Sequence, residues 1–403
     1  MTSRIIVNNI QSDTGVSTVT FNSNISSSSA TITDINTTRI SGVSTAGITT
    51  AYIGSVNDGP ISGFRNLITN GEMVLDQRNS GSSVTINSDG FGGRLFPVDR
   101  FPVQRAGTIV ITAQQDTVAP PNFQNSVKLT VTTADSSVAA TDYAFINHRL
   151  EGYTASPLRY GTSAAKQATL SFWVRSSVTG TYCIGISNYA DNRAHVKEYT
   201  INSADTWEYK TITITGDTTG TWEKTNSGGM NISWTLLAGS DYQATANTWH
   251  TSVKLATSSQ TQWGSTSSAT FYLTGVQLEL GTTASTFERR SYGQELSLCE
   301  RYYQIKEYNG GTVNMYPGST NGYFTIPLSP LMRTAPSVIT YDTAYQASGF
   351  IYYNGGSTAV TYGNNQPPTI SAVSSVASRT SGNFSAGEVC GHTYVRIRAS
   401  AEL

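Results

Sequence analysis

Short runs of alternating apolar and polar residues, separated by turn-forming residues, recur along the chain from residue 64 onward. The run Leu170–Arg175 places Leu170, Phe172 and Val174 on one face, and Trp207–Ile214 alternates in the same way. A period of two is the pattern of a half-buried β-strand, whereas a helix repeats every 3.6 residues. Many short strands with turns between them are typical of a β-sandwich. The sequence therefore predicts an all-β fold for most of the chain.

Composition shifts and clusters of turn residues divide the chain into four parts. They are a segment over 1–63 that attaches or forms a shaft, a β-sandwich over 64–293, a helical connector over 294–308 and a smaller β tip domain over 309–403. The connector lies in Tyr292–Lys306, which is the stretch with the clearest helical pattern.

Residues 1–63 consist mainly of Ser, Thr, Asn, Ile and Val, with isolated apolar residues a few positions apart. β-Branched residues favour extended chain, but so few apolar side chains cannot bury a core by themselves. We expect this segment to intertwine with two symmetry mates in a β shaft, or to dock on another protein. A flexible linker rich in Ser and Thr is the alternative.

The charge balance and the cysteines exclude several classes of protein. Lys and Arg number 25 against 26 Asp and Glu, so nucleic acid is not an expected partner. No apolar run is long enough for membrane insertion, and the N-terminus lacks the apolar stretch of a signal peptide. Cys183, Cys299 and Cys390 are odd in number and far apart, so we predict neither disulfides nor a zinc cluster.

No motif for catalysis or for a cofactor is found. The histidines are isolated, GxSxG is absent, and Gly90–Gly93 does not match a phosphate-binding loop. We therefore predict no metal site, no cofactor and no catalytic residue. A pair of carboxylates across a groove stays an open alternative; the candidates on aromatic-bearing segments are Glu151, Asp191, Glu208 and Glu223. Glu208 and Glu279 fall within strands, and we expect a solvated sheet face for both.

Tryptophans in polar surroundings are the main candidates for ligand contact, because sugar rings stack their apolar faces on aromatic side chains. Trp222, Trp249 and Trp263 lie in stretches rich in Gly, Ser, Thr and Asn, which indicates loops or strand ends. A subunit interface and plain packing are the competing roles for these three side chains. Trp173 lies opposite the core face of its strand, which predicts that it is exposed or buried against a partner.

The C-terminal part carries tyrosines in polar stretches: Tyr341, Tyr345, Tyr352, Tyr353 and Tyr362. Tyrosine among Asn, Ser and Gly is the composition of a recognition surface, because it offers amphipathic contact at low entropic cost. We therefore hypothesise that residues 309–403 form a distal tip that contacts a receptor. The alternative is that these tyrosines fill small β cores and subunit seams.

Basic and acidic residues alternate around the predicted helix. They are Arg289, Arg290, Arg301, Lys306, Glu288, Glu295, Glu300 and Glu307. Interleaved charges of both signs are typical of a solvated ion-pair face rather than of a nucleic-acid patch. We expect this segment to act as a hinge between the two β domains.

Several short motifs resemble a domain common in bacteriophage tail fibres and related virion proteins. In chain order they are Asn66–Met73 with Gln77-Arg78, Val98–Phe101, Leu170–Ser176, Gly180–Tyr182, Trp207–Thr211, Gly216–Trp222, Thr274–Gly281, Phe287–Tyr303 and the C-terminal Ser400–Leu403. The resemblance is closest over residues 64–303 and looser over the rest of the chain. The N-terminal segment is similar to structural proteins of phages that infect marine cyanobacteria.

This resemblance implies a jelly-roll sandwich, similar to non-catalytic carbohydrate-binding modules, that assembles as a homotrimer in the virion. It assigns no ligand-binding residue, because a fold does not determine its ligand. We predict a tail fibre that contacts other virion proteins through residues 1–63 and binds host surface polysaccharide or another receptor with its β domains. Such a protein is assembled in the host cytoplasm and is then extracellular. The alternatives are a head or tail decoration protein without receptor binding, and a polysaccharide depolymerase.

Overall fold

The structure is a computed structural model that describes residues 64–403 with short gaps. The gaps are 88–89, 91–93, 310–313, 316–320, 343–349, 354–355, 365 and 380–389. Residues 1–63, and with them the predicted attachment or shaft segment, lie outside the described residues.

Two antiparallel sheets form a sandwich. In chain order their strands are β1 (Val84–Ile86), β2 (Leu95–Val98), β3 (Phe101–Ala106), β4 (Val110–Asp116), β5 (Ser126–Thr133), β6 (Tyr143–Glu151), β7 (Ala168–Ser176), β8 (Gly180–Asn188), β9 (Ala194–Ile201), β10 (Glu208–Ile214), β11 (Gly228–Ala238), β12 (Trp249–His250) and β13 (Thr270–Leu280). The six-stranded sheet has the order β1-β4-β5-β13-β7-β10, and the seven-stranded sheet has the order β12-β9-β8-β11-β6-β3-β2. The chain passes repeatedly from one sheet to the other, as a jelly roll requires.

The core lies between the inner faces of the two sheets. Leu170, Phe172 and Val174 of β7 are fully buried, as the alternation predicts. The ring of Trp234 on β11 lies 5.8 Å from that of Phe172 on β7, an edge contact that joins the two sheets, and 6.1 Å from that of Phe101 within its own sheet.

A third sheet follows the sandwich. Its strands are β14 (Tyr303–Asn309), β15 (Asn314–Met315), β16 (Asn321–Pro327), β17 (Val338–Asp342), β18 (Phe350–Tyr353), β19 (Gly356–Asn364), β20 (Ala372–Arg379) and β21 (Cys390–Ser400). Their order is β14-β21-β18-β19-β20-β16-β15, with β17 paired to β21. The predicted fold class, a jelly-roll sandwich and a smaller β domain joined by a short helix, is confirmed.

The helices are short. They are α1 (Gly152–Ala155), α2 (Tyr292–Glu300) and three 3₁₀ turns at Ser156–Leu158, Ser240–Tyr242 and Trp263–Ser265. Helix α2 begins with a capping box between Ser291 and Gln294. It ends at Glu300 rather than at Lys306 as predicted, because the chain turns there and enters β14. No helix within the described part of the chain combines the length and the apolar composition that membrane crossing needs.

Some of the charges around α2 lie in buried contacts with the sandwich, which corrects the expectation of a solvated face for these residues, whereas Arg289 and Glu307 are 48 % and 47 % exposed. Arg301 donates two hydrogen bonds to Glu151, at 2.8 and 2.6 Å, and only 2 % of the Glu151 side chain is exposed. The Arg290 side chain is 4 % exposed and pairs with Glu295 at 3.3 Å. The Arg301–Glu151 pair joins the end of α2 to the sandwich, and Glu295 accepts a hydrogen bond from the backbone amide of Asn70.

The C-terminal residues complete this junction. Glu402 accepts hydrogen bonds from Arg78 and Arg100 of the sandwich. The Arg100 guanidinium lies 3.5 Å above the ring of Tyr302, and the Arg78 guanidinium lies 3.7 Å from the ring of Tyr303. Arg78, Arg100, Tyr302, Tyr303 and Glu402 all belong to motifs that carry the resemblance. These motifs are therefore in contact at the junction between the sandwich and the third sheet.

Candidate functional site

An open cleft of about 630 Å³ lies on the outer face of the six-stranded sheet. We call it the aromatic cleft, and its main lining residues are Phe123, Ser171, Trp173, Tyr209, Gly275, Phe287 and Arg289. Its volume falls within the range of about 300–1,000 Å³ that is usual for ligand pockets.

Two aromatic side chains form the floor of the cleft. Trp173 on β7 and Tyr209 on β10 are paired across the two strands, and their ring centroids are 5.3 Å apart. Because Leu170, Phe172 and Val174 of β7 point into the core, Trp173 must point outward. Tyr209 is 44 % exposed. The predicted placement of Trp173 opposite the core face is therefore confirmed, and its indole lies half-buried in the cleft.

Gly275 leaves room for these rings. It interrupts the pairing of β13 with β7, and its φ of +61° is a conformation that L side chains rarely adopt. A Cβ atom at this position would lie 2.8 Å from Phe123 and 3.0 Å from Trp173. A residue with a side chain would therefore strain the backbone and displace the wall of the cleft.

The walls come from two loops. Phe123 follows β4 and Phe287 follows β13, and their rings meet edge to face at 5.3 Å. The Arg289 guanidinium lies 4.9 Å from the Phe123 ring and pairs with Glu72. Cation–π contact and ion pairing together hold this arginine at one end of the cleft.

The loop after β13 is anchored by Glu279. This carboxylate accepts hydrogen bonds from the backbone and the hydroxyl of Ser285, at 2.8 and 2.7 Å, and from Gln277 at 2.9 Å. Glu279 is 3 % exposed, so the expectation of a solvated position was wrong. The loop covers this face of the sheet and thereby builds the wall that carries Phe287.

The cleft continues past Arg289 into a second cavity of about 340 Å³. Its lining includes Glu72, Asn125, Arg290, Tyr292 and Glu295, and Arg289 belongs to both cavities. Burial raises the pKa of Glu72, Arg289 opposes that shift, and Glu295 adds to it. We call the two cavities, which adjoin at Arg289, the groove; its lining is aromatic at one end and charged at the other.

Two of the three loop tryptophans predicted from the sequence come together. The rings of Trp222 and Trp249 meet edge to face at 5.6 Å, and Tyr160 packs against both. Trp222 is 8 % exposed and donates a hydrogen bond to Asp217. This cluster lies outside the aromatic cleft and packs on the core.

Trp263 lies elsewhere and is fully buried. Its indole donates to the carbonyl of Thr270 at 3.2 Å and packs against Phe271. It occupies a 3₁₀ turn that folds back over the core, and no face of its ring is open to a ligand in this structure.

The predicted tip tyrosines are only partly within the described residues. The backbones of Tyr341, Tyr352 and Tyr353 lie in β17 and β18, and Tyr362 lies in β19. Tyr345 lies outside the described residues. Sugar contact by these side chains stays a prediction.

The candidate carboxylates do not share one cleft. Glu151 is held by Arg301 and Tyr302, and Asp191 by Ser187. Burial by itself would raise the pKa of Glu208, but hydrogen bonds from Lys210 and from backbone amides lower it to about 2. Glu223 is exposed in a loop. Each of these groups has a local structural role or faces solvent.

Comparisons with known proteins give distant likenesses. No protein-family model and no curated protein match the sequence. A solved domain described as the enzymatically active domain of bacteriophage CBA120 tailspike protein 4 is 13 % identical, with a TM-score of 0.26 over 45 % of this chain and 19 % of that chain. This chain thus spans about a fifth of the tailspike domain.

Two carbohydrate-binding modules are similar at the same level. A structure described as CBM4 is 16 % identical, with a TM-score of 0.27 over 53 % of this chain and 99 % of that one. A family 11 module from Clostridium thermocellum, in complex with a β-1,3-1,4-mixed-linked tetrasaccharide, is 12 % identical, with a TM-score of 0.26 over 50 % and 98 %. TM-scores below 0.5 do not support a functional assignment. The function proposed below therefore rests on the contacts within this chain.

Sequence reasoning missed most of the aromatic cleft. The alternation in β7 placed Trp173 on the outer face, and the same alternation in β10 could have placed Tyr209 beside it. Phe123 lies in the loop before β5, and Phe287 and Arg289 lie in the loop after β13. No local sequence pattern links these two loops. Only the folded chain brings them together.

Proposed function

We propose that this chain binds a neutral glycan in the aromatic cleft, as a binding protein rather than an enzyme. The observation that carries the proposal is the pair of Trp173 and Tyr209, paired across two strands on the outer face of the sheet and lining the cleft. Flat rings at this spacing present a platform for the apolar faces of pyranose rings. Hydroxyl and amide groups at the edges of the cleft, from Asn122, Ser285 and Thr286, can bond the ring hydroxyls.

The groove favours a chain of sugars over a single residue. A chain of sugars that starts on Trp173 would extend along Arg289 towards the second cavity, where Asn125, Tyr292 and Glu72 offer polar contacts. We therefore propose an oligosaccharide segment of a polysaccharide as the ligand.

The wider proposal is a trimeric tail fibre of a phage virion, which attaches through residues 1–63 and adsorbs to host surface polysaccharide. The motifs in the sequence that resemble tail fibres support it. Three identical cleft sites on one fibre would raise the effective affinity for a repetitive glycan, so each site alone can be weak. The decoration protein and the depolymerase are the competing proposals.

A glycan array tests the cleft. We expect the wild-type chain to bind neutral oligosaccharides, and the double variant W173A/Y209A to bind them more weakly, because both rings of the cleft floor are removed. Y153A is the matched control, because Tyr153 is 60 % exposed and does not line the aromatic cleft. Equal binding by wild type and W173A/Y209A would overturn the assignment of the cleft.

Two further measurements separate the wider alternatives. Light scattering after size exclusion should give the mass of three chains. Release of reducing sugar from host polysaccharide would support the depolymerase, and an unchanged polysaccharide together with binding on the array would support adsorption without cleavage.

A further inference from the structure

A second group of polar residues lies on the outer face of the other sheet. We call it the polar notch. Its polar lining residues are Asn147, Arg149, Ser187, Asp191, Asn231 and Ser233, and its apolar ones are Phe145, Val253 and Leu255. On the strand ladder Asn231 of β11 lies opposite Arg149 of β6 and Ser187 of β8, and Ser233 lies opposite Asn147. The six residues therefore line one face across three adjacent strands and the turn after β8.

The notch holds buried polar atoms that have no partner. Asn147 is 2 % exposed and Asn231 is 5 % exposed, yet their Oδ1 atoms accept no hydrogen bond from the described residues. The Nε atom of Arg149 is likewise buried without an acceptor there. A buried polar group without a hydrogen-bond partner lowers the stability of the folded state by about 1–3 kcal/mol. A bound group that pairs with these atoms would recover that free energy.

The amide groups of both asparagines are held in a definite orientation. The Nδ2 atom of Asn147 donates to the carbonyl of Ile232 at 3.3 Å and to Ser233 at 3.0 Å. The Nδ2 atom of Asn231 donates to Ser187 at 3.1 Å. Because the nitrogens are engaged, the oxygens are the atoms left for a ligand.

The chemistry of the notch selects a neutral hydroxyl group. Two unpaired acceptors and one unpaired donor suit a group that both donates and accepts. The Asp191 carboxylate, hydrogen-bonded to Ser187 at 2.9 Å, opposes an anion, and the Arg149 guanidinium opposes a cation. The free volume is about 10 Å³, which is about the room that one oxygen atom of a water or a hydroxyl needs.

An exposed aromatic ring stands beside the notch. Tyr189 is 40 % exposed, and its ring lies 5.6 Å from the Arg149 guanidinium. It belongs to the turn that also carries Asp191 and is held where Gly228 leaves room for its ring. This ring offers a stacking face next to the unpaired atoms.

We infer that the polar notch is a second saccharide-binding site, which takes a hydroxyl group of a neutral sugar whose ring stacks on Tyr189. It lies on the sheet opposite the aromatic cleft and does not depend on the proposal made for that cleft. A chain with both sites contacts glycan on two faces.

Four proteins on one glycan array test the inference: wild type, the cleft variant W173A/Y209A, the notch variant N147L/N231L, and the combination of the two. We expect the cleft variant to retain binding to neutral glycans and the combination to lose it by about tenfold or more, from the loss of two hydrogen bonds to the sugar. Identical arrays for the cleft variant and the combination would overturn the second site, as would residual binding confined to anionic glycans.

Two further variants separate recognition from folding. Y189A changes an exposed ring and should weaken residual binding without lowering thermal stability. Y153A also changes an exposed ring, but Tyr153 does not line the notch, so this variant should leave residual binding unchanged. Retained binding at the aromatic cleft shows that N147L/N231L is folded.

A crystal soaked with the tightest neutral glycan of the array gives the direct readout. A sugar hydroxyl within hydrogen-bond distance of Asn147 and Asn231 is the expected result. A water molecule alone in the notch would overturn the inference. If W173A/Y209A leaves the wild-type array unchanged while the notch variant alters it, the cleft proposal fails and the notch stands.

Discussion

Asp99 illustrates how burial changes the pKa of a single side chain. It is 1 % exposed and accepts hydrogen bonds from Arg78 and Gln77, but desolvation dominates and raises its pKa to about 6. An unfolded Asp titrates near 3.9. The folded state therefore takes up a proton between about pH 6 and pH 4 that the unfolded state does not, and lowering the pH through this window favours folding.

The variant D99N tests this contribution. The wild type should gain stability relative to D99N as the pH falls from 7 to 4, by on the order of 3 kcal/mol at about 1.4 kcal/mol per pKa unit. Denaturant unfolding of both proteins at several pH values measures the difference. A difference that does not change with pH would contradict the raised pKa.

His195 has the opposite effect on how stability depends on pH. It is fully buried, neither ring nitrogen has a hydrogen-bond partner within the described residues, and its ring packs on Trp249 at 4.9 Å. Burial, with a smaller contribution from Lys197, lowers its pKa to about 4. The unfolded state then binds the proton first, so this group costs stability as the pH falls from about 6.5 to 4.

We therefore expect H195F to resist acid better than the wild type. Phenylalanine keeps the ring contact with Trp249 and removes both the titration and the unpaired nitrogens. The unfolding free energy of H195F should fall less than that of the wild type between pH 6.5 and pH 4. Parallel pH profiles for the two proteins would show that His195 is not the group responsible.

At the scale of elements, β13 and its bulge determine the shape of the aromatic cleft. The strand pairs with β5 on one side and β7 on the other, and its pairing with β7 shifts between Thr274 and Gln277. Asn66 bonds to this region through its side chain, to the carbonyl of Val276 at 3.1 Å and the amide of Leu278 at 3.1 Å. The motif residue Asn66 thus supports the bulge that makes room for Trp173.

The variant G275A should narrow the cleft. The added methyl group meets Phe123 and Trp173, and the positive φ costs about 1 kcal/mol or more in a residue with a Cβ. G81A is the matched control, because Gly81 also has a positive φ but no atom lies within 4 Å of its Cβ position. Both variants should lose some thermal stability, and only G275A should lose affinity on the glycan array.

Helix α2 is capped by Ser291, the residue that precedes it. Ser291 accepts from the Gln294 amide, and the capping box satisfies two groups at the helix start. We expect S291A to cost about 1 kcal/mol in unfolding free energy. S291T keeps the hydroxyl and should cost less; equal losses for the two variants would show that the cap contributes nothing.

At the scale of the whole molecule, the sandwich and the third sheet are joined through Glu402. Burial alone would raise the pKa of this carboxyl, but Arg100 and Arg78 outweigh it and hold the pKa below its usual value. The Arg100 side chain is 3 % exposed, so its charge has no contact with bulk water. Loss of either side chain, Arg100 or Glu402, would therefore leave the charge of the other buried without its counterion.

The variant E402Q should be strongly destabilised, by about 3 kcal/mol, because it leaves the buried charge of Arg100 without its counterion. Denaturant unfolding measures the loss, and limited proteolysis should release the C-terminal sheet. E307Q is the matched control, since Glu307 is 47 % exposed and pairs with Arg396 at the surface, where an ion pair contributes about 1 kcal/mol at most. Equal losses would contradict the role of Glu402.

Local patterns were sufficient for the class of fold. Alternation in β7 and β10 predicts strands and even the face on which Trp173 lies, because a strand repeats every two residues wherever it is placed. Interleaved charges predict ion pairs near α2. Neither pattern says what covers a face, and so Glu279, Arg290 and Glu295 were expected in solvent although loops and the sandwich bury them.

Both candidate sites depend on contacts between distant parts of the chain. The aromatic cleft combines Phe123, Trp173, Tyr209 and Phe287, and the polar notch combines residues of β6, β8 and β11 with the turn after β8. A sequence specifies which way each side chain points along its own strand. Which strands become neighbours, which loops fold over them and which polar atoms are left unpaired follow from how the two sheets pack, and no single segment contains that information.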